Sequence, residues 1–412
     1  GAQIPFGSYR AGPDSGLRVG REEILRLPFQ HYGGYSYSDN VVIGFSHTHM
    51  VGAGVGDLGN FGVMPARVSA VEMASDEALK SILMTPHGHA LRLDHSRESA
   101  SPGMYKIFFP DENISASLLA VGSHNGSHSF EFGSPPDASA SSSCGLLIDV
   151  CHTAMGDNER CKNASITVST ENVDGSVEVQ ASLKMAGSLT ERAPLGGVGV
   201  HFHTTISSSL FQSSSAKVRL WASGRMLPSE VMHARAASKS LGAFVSWPCT
   251  NEEQRQHQLP LKLKMDNAIS FISSDQARKN HLQLVSKGLS WDDQQAHTEK
   301  MWSERLSVVQ IEQIEDSDDA ANETSVLLKK MYTGLYHANL APSIFDEDGI
   351  YLSFNTGDML MKVSGADHAY TDMSIWDIHR TQLPWLSLTA PDVLRDVLHS
   401  LQRMMEQGGG DI

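Results

Sequence analysis

Apolar and polar positions alternate along the first two thirds of the chain. Ile166 and Val168 share a face within 165–170, and Val177, Val179, Ala181, Leu183 and Met185 keep the same step. Val198, Val200, Phe202, Thr204 and Ile206 form a third such face, and 217–221 a fourth. A period of two is the signature of half-buried strands. Turn-forming clusters separate them, among them Asn125-Gly126, Asp174-Gly175 and the serine runs 141–143 and 213–215. Many short strands so spaced predict a β-sandwich over residues 1–265 rather than a parallel α/β sheet.

The period then lengthens. Asp275 is placed to cap a helix through Leu284, with Gly288 ending it, and Ser290-Trp291-Asp292-Asp293 reads as a capping box opening a helix to about Leu306. Leu328, Met331, Tyr332, Leu335 and Tyr336 follow helical spacing behind the acidic Asp316, Asp318 and Asp319. Further helices are predicted from Ser374 to Leu383 and from Pro391 to Glu406. The organisation expected is multidomain, β then α: a sandwich over 1–265, a helical linker over 266–310 and an all-α region over 311–412. Both ends read as interior sequence, so the all-α region is expected to be incomplete.

Charge narrows the partners. Lys+Arg 32 against Asp+Glu 47 gives a net charge of −15, which argues against nucleic acid and anionic membranes. No apolar run approaches the roughly 18 residues of a membrane span. Sequons begin at Asn113, Asn125, Asn163 and Asn322, and Cys151 and Cys161 flank a polar stretch suited to a disulfide-closed hairpin. Together they point to a secretory route, with a secreted, extracellular, vacuolar or lysosomal destination.

Candidate chemistry concentrates in two places. In the first, His47 and His49 leave a short apolar run and enter a glycine-rich turn containing Asp57. Residues two apart on a strand face one way, so the imidazoles suit a sugar site or a metal pair, or serve as hydrogen-bonded loop histidines. Gly54-Val55-Gly56-Asp57-Leu58-Gly59 matches G-x-G-x-x-G but precedes no helix, which removes the dinucleotide reading. Asp346-Glu347-Asp348-Gly349 lacks the glycine and glutamate of an EF-hand and reads as a turn. The second place is Trp376, Asp377 and Arg380 at a helix start. They suit a sugar subsite, or a buried Trp beside a structural Asp–Arg pair, the reading the residues alone favour.

Several stretches bear on one family. Gly44-Phe45-Ser46-His47-Thr48-His49, the glycines that follow and Val63-Met64-Pro65 resemble the G-F-S-H-T-H signature of glycoside hydrolase family 92, calcium-dependent exo-acting α-mannosidases. Gly1-Ala2-Gln3-Ile4-Pro5-Phe6-Gly7 resembles that family's P-G-A-x-x-P-F-G start, and Ala100-Ser101-Pro102-Gly103-Met104-Tyr105 its A-S-P-G-Y-Y. Tyr332-Thr333-Gly334-Leu335-Tyr336-His337 with Pro342 and Asp348-Gly349-Ile350-Tyr351 resembles its Y-T-A-L-Y-H…P…D-G-x-Y segment. Trp376-Asp377-Ile378-His379-Arg380 resembles W-D-T-x-R, and Ser400-Leu401 with Glu406-Gln407-Gly408-Gly409 its S-L…E-Q-G-G. Met50-Val51, Gly59-Asn60, Ile378-His379 and Pro384-Trp385 depart from the family pattern.

The resemblance implies a sandwich, a helical linker and the beginning of an (α/α)6 barrel. It also implies inverting, Ca2+-dependent trimming of mannose from N-glycans or mannans. His47, His49, Asp57, Trp376, Asp377 and Arg380 would bind the mannose-containing glycan. The family's acid, base and most calcium ligands belong to the later half of the barrel, so no catalytic residue is assigned within 1–412, and another segment or chain would complete the barrel. The alternatives are a non-catalytic, carbohydrate-binding or structural extracellular relative, and a hydrolase with metal at His47 and His49.

Overall fold

The period-two alternation becomes two antiparallel sheets of nine strands each in a computed structural model. It describes residues 1–51, 54–134, 142–156, 158–172, 175–210, 216–249, 260–311 and 318–408, the side chains of 158 and 318–324 excepted. One sheet runs from Arg225–Met226 through Lys217–Ala222, Leu241–Pro248, Ser142–Asp149, Gly62–Ser69, Val41–Ser46 and Gly12–Val19 to Glu23–Leu25. Leu91–Arg92 pairs onto Val41–Ser46. The other runs from His233–Ser238 through Cys161–Ser169, Val177–Met185, Val198–Ser208, Leu261–Ser270, Asn125–Phe132, Ile114–Gly122 and Met104–Phe109 to Glu98–Ser101.

Strand Val177–Met185 shows why the pattern is readable. Its odd residues are buried and its even ones half-buried, the period of a strand with one face on a core. The buried faces of both sheets share one core. Phe45 of the first sheet has its ring centroid 6.4 Å from Phe109 and 6.2 Å from Phe130 of the second. Phe61 stacks on Phe202 at 4.9 Å. Cys144 and Cys249 are bonded, closing a separation of 105 residues, and Cys151 is bonded to Cys161. The last strand ends at Ser270, so the sheet continues past the boundary expected at residue 265.

Helices follow the sheets. Ser273, rather than Asp275, caps Ser274–Val285 by accepting from Gln276 N. Ser290 and Asp293 form the reciprocal capping box that starts Trp291–Leu306. Asp318–Ala338 is next, then a hairpin of Ile350–Leu352 and Leu360–Lys362 flanked by the pair Ser343–Ile344 and Tyr370–Thr371, and the helices Ile375–Ile378, Gln382–Thr389 and Pro391–Gln407. The expected helix from Ser374 to Leu383 is therefore split. Pro384 has no N–H for the Arg380 carbonyl and its ring would clash there, so one helix cannot run through both residues.

The acidic run at 346–348 is a joint. Glu347 accepts from Phe271 N at 2.8 Å and Asn280 Nδ2 at 2.6 Å, and Asp348 accepts from Gln276 Nε2 at 2.9 Å. It fixes the 343–353 region to the helix that leaves the sandwich.

Candidate functional site

The turn carrying the histidines is closed by its own backbone. Arg10 N donates to His47 O, His47 N to Asn60 O, and Asn60 N to Thr48 Oγ1. His49 bridges Leu58 in antiparallel fashion. This closure sends the two imidazoles to separate partners. His47 lies wholly inside the sandwich, stacked on His128 at 4.9 Å, with Nδ1 2.7 Å from Phe61 O. Burial pushes its pKa down to about 3, so it is neutral at pH 7. It lines neither cavity described below, which corrects the expectation that both histidines face one site.

His49 does face the boundary between sandwich and helices. Its Nε2 lies 2.7 Å from Asp14 Oδ1, and His152 Nε2 lies 2.6 Å from Asp14 Oδ2. Burial works to raise the Asp14 pKa, yet His49 and His152 outweigh it and hold the carboxyl well below its usual range. The glycines nearby are steric requirements. A Cβ on Gly44 or Gly62 would lie within 2.8 Å or 2.5 Å of the His152 ring.

Asp57 also departs from its expected place. Its fully buried carboxylate accepts from the backbone of Ser188, Leu189 and Thr190, each at 2.8 Å, and from Arg160 Nη1 at 3.1 Å. Burial works to raise its pKa, but the backbone donors prevail and lower it. With these contacts it fastens loop 187–190 to the glycine-rich turn, and it lines neither cavity.

The residue that joins the two halves is Arg10, which the sequence did not single out. Its Nη1 donates to His49 O at 3.0 Å and to Asp372 at 3.3 Å, and its Nη2 donates to Leu340 O at 3.0 Å and to Ser343 Oγ. Ser343 Oγ in turn donates to Asp372 Oδ2 at 2.5 Å. Asp372 adopts φ +59°, a left-handed conformation few non-glycine residues take, and this contact holds it there. A fork geometry with a carboxylate on one side and carbonyls on the other needs a guanidinium. The one advance signal is an arginine in the otherwise uncharged run Ile4–Pro13.

Two cavities flank this joint and share Arg10, His49 and Met50. One, of about 410 Å³, is bordered by Phe29, Tyr32 and Tyr336. The other, of about 260 Å³, is bordered by Phe271, Phe345 and Asp372. Trp376, Asp377 and Arg380 line neither of them. Trp376 is 88% exposed, Asp377 accepts from Ser374 Oγ, and Arg380 donates to His379 Nε2 at 3.3 Å rather than pairing with Asp377. Among the described residues no group of three or more His, Cys, Asp or Glu is placed to hold a metal ion.

The sequons divide. Asn163 is exposed and Asn113 half-buried. Asn125 is buried and its amide donates to Asn280 O at 3.0 Å, so it presents no free acceptor, contrary to expectation. The side chain of Asn322 lies outside the described residues.

Residues 1–258 match the glycosyl hydrolase family 92 N-terminal domain, and residues 276–411 match the glycosyl hydrolase family 92 catalytic domain. An uncharacterized secreted glycosidase of Arthroderma benhamiae is 22% identical over 83% of this chain and 39% of its own. A family GH92 α-mannosidase from Bacteroides thetaiotaomicron, solved in complex with mannoimidazole, superposes with a TM-score of 0.75 at 24% identity, covering 98% of this chain and 46% of its own. A GH92 inverting mannosidase from the same organism gives 0.71 at 21%, covering 99% and 45%. These likenesses show the fold. The chain spans less than half the length of each of these relatives.

Proposed function

This chain belongs to glycosyl hydrolase family 92, and from that premise we propose that it is the sandwich and first helical part of an inverting, exo-acting α-mannosidase. The observation that carries the reading is the Arg10–Asp372 joint. It seats the His49 turn of the sandwich against the segment that runs directly into Trp376 and Asp377. A cleft where two domains meet is where small-ligand sites concentrate. In this reading His49 is oriented by Asp14 and shapes the cleft wall, Trp376 offers a ring face to the sugar, and Asp377 and Arg380 bind its hydroxyls. Asp57 and His47 support the wall from behind.

The reaction assigned is hydrolysis with inversion, in which one carboxylic acid protonates the leaving oxygen while a carboxylate activates water on the opposite face. We assign neither group to a residue between 1 and 412. Calcium belongs to the proposal for the whole protein; the described residues assemble no group of three or more His, Cys, Asp or Glu to hold it. The (α/α)6 barrel is likewise proposed, with the helices from Asp318 onward as its first members. The domains follow as a sandwich through Ser270, where its last strand ends, a linker up to residue 310 and the barrel's start over 311–412. The secreted relative and the sequons at Asn113 and Asn163 support an extracellular setting, with mannose-ended glycans as substrate.

The full-length protein tests this. Wild-type protein is expected to release mannose from α-mannosides and to lose that activity with a calcium chelator. Trp376→Ala and Asp377→Asn are each expected to lower kcat/KM about a hundredfold, as misplacing a bound substrate does. Variants as active as wild type would remove both residues from the site.

A further inference from the structure

Strand Cys161–Ser169 departs from a regular ladder at one point. Lys162 faces Lys184 and Ser165 faces Ser182 of the neighbouring strand, so Asn163 and Ala164 together oppose the single residue Leu183. Such a β-bulge bends a strand and re-aims a side chain. Asn163 takes the extra position at φ +48°, a conformation asparagine tolerates better than most side chains. It is exposed, and no described residue hydrogen-bonds its side chain.

Asn163, Ala164 and Ser165 also make a complete sequon. Ser165 and Arg235 are Cα partners, which places the sequon beside His233–Ser238, the terminal strand of this sheet. A groove of about 430 Å³ opens next to Asn163, lined by Ala164, Ser165, Arg235, Ala236 and Ala237. It shares no residue with the two cavities at the joint. The other acceptors differ. Asn125 is buried and bonded to Asn280 O. Asn113 donates its amide to Ser134 O at 3.2 Å and lies against Gly133, where a Cβ would sit 2.4 Å from it. The cysteines agree with a secretory route. Cys144–Cys249 and Cys151–Cys161 leave none of them free, as in chains that fold in an oxidising lumen.

We propose that Asn163 carries an N-linked glycan whose first N-acetylglucosamine lies in the Arg235 groove, while Asn125 stays unmodified. The inference rests on the extracellular setting proposed above and is independent of the mannosidase chemistry. Transfer occurs on the emerging chain, from an oligosaccharide held on a polyprenyl pyrophosphate. The bond from Asn163 Nδ2 to the sugar C1 forms as the C1–O bond to the pyrophosphate breaks. The pyrophosphate leaves with that electron pair, and the amide gives up one proton. Folding then decides which acceptors tolerate the bulk. At Asn163 the bulge holds the amide out of the ladder, so the glycan displaces no described hydrogen bond. Arg235 donates to the acetamide oxygen of the first sugar. The glycan also shields the outer edge of His233–Ser238, which pairs with no described strand and would otherwise invite one.

The test maps the glycans of full-length protein made in a eukaryotic cell. Enzymatic release in heavy-oxygen water converts each occupied asparagine to a heavy aspartate, read by peptide mass spectrometry. The mark is expected at Asn163 and absent at Asn125. Asn163→Gly, which suits the left-handed backbone, is expected to lose one glycan in intact mass. Release at Asn163 is expected to be about tenfold slower from native wild-type protein than from native Arg235→Ala, because the seated sugar shields its bond to the amide. The two are expected to match once denatured. An unmarked Asn163 beside a marked Asn113 or Asn322 overturns this inference alone, whereas marks at no sequon overturn the extracellular setting with it. A marked Asn125 removes the burial argument, and equal native release removes the seat.

Discussion

Arg10 shows how much one side chain settles in this protein. Buried and bonded to His49, Leu340, Ser343 and Asp372, it leaves Asp372 without its cation and the His49 carbonyl without its side-chain donor if removed, while Leu340 O keeps Gln3 Nε2 and Asp372 keeps Ser343 Oγ. Arg10→Ala is expected to cost about 3–5 kcal/mol, as breaking a buried pair does, and Arg10→Lys to recover little because one ammonium cannot span the fork. Denaturant unfolding of the three proteins checks this. His47 makes a second prediction. Its folded pKa is about 3 against an ordinary 6.5, so between those values the unfolded chain carries a proton that the folded chain refuses. Stability therefore rises with pH through this window and falls on acidification, and His203, lowered to about 3, acts in the same sense. The urea midpoint is expected to drop from pH 6.5 towards pH 4, less steeply in His47→Gln. A midpoint flat across that range would contradict it. The sequence made His47 and His49 conspicuous but not their partners, because His152 meets Asp14 across 138 residues of chain. Spacing reports local geometry, and these contacts are tertiary.

Elements were more legible than residues, for a physical reason. Strand Val177–Met185 and the capping box at Ser290 are each specified within a few residues, by burial period in one case and reciprocal side-chain bonds in the other. Ser290→Ala is expected to cost about 1 kcal/mol, measured as a lowered unfolding midpoint. The Cys144–Cys249 pairing was not legible, since it depends on strands Ser142–Asp149 and Leu241–Pro248 lying side by side. Helix Gln382–Thr389 shows the limit on the other side. The apolar pattern runs on through 374–383, but Pro384 imposes a local break that overrides it.

At the scale of the whole molecule, the two sheets bury one shared core, and the helical region is proposed as the start of a barrel. Besides Trp376, its helices leave apolar surface exposed at Leu327, Met331, Leu388 and Leu398. We attribute it to the face on which the rest of the barrel packs. Residues 1–412 alone are then expected to self-associate in light scattering, whereas full-length protein at the same concentration does not. That β-rich sheets precede helices was readable from the period of the apolar positions. The bridging of His49 to Asp372 through Arg10 was not, because no sequence pattern encodes which faces of two domains touch. The central claim, that this cleft belongs to an inverting α-mannosidase, is tested most directly by following full-length protein and an α-linked mannotriose by proton NMR. The account predicts free mannose appearing first as the β-anomer, before mutarotation. No mannose at all, or the α-anomer first, would contradict it.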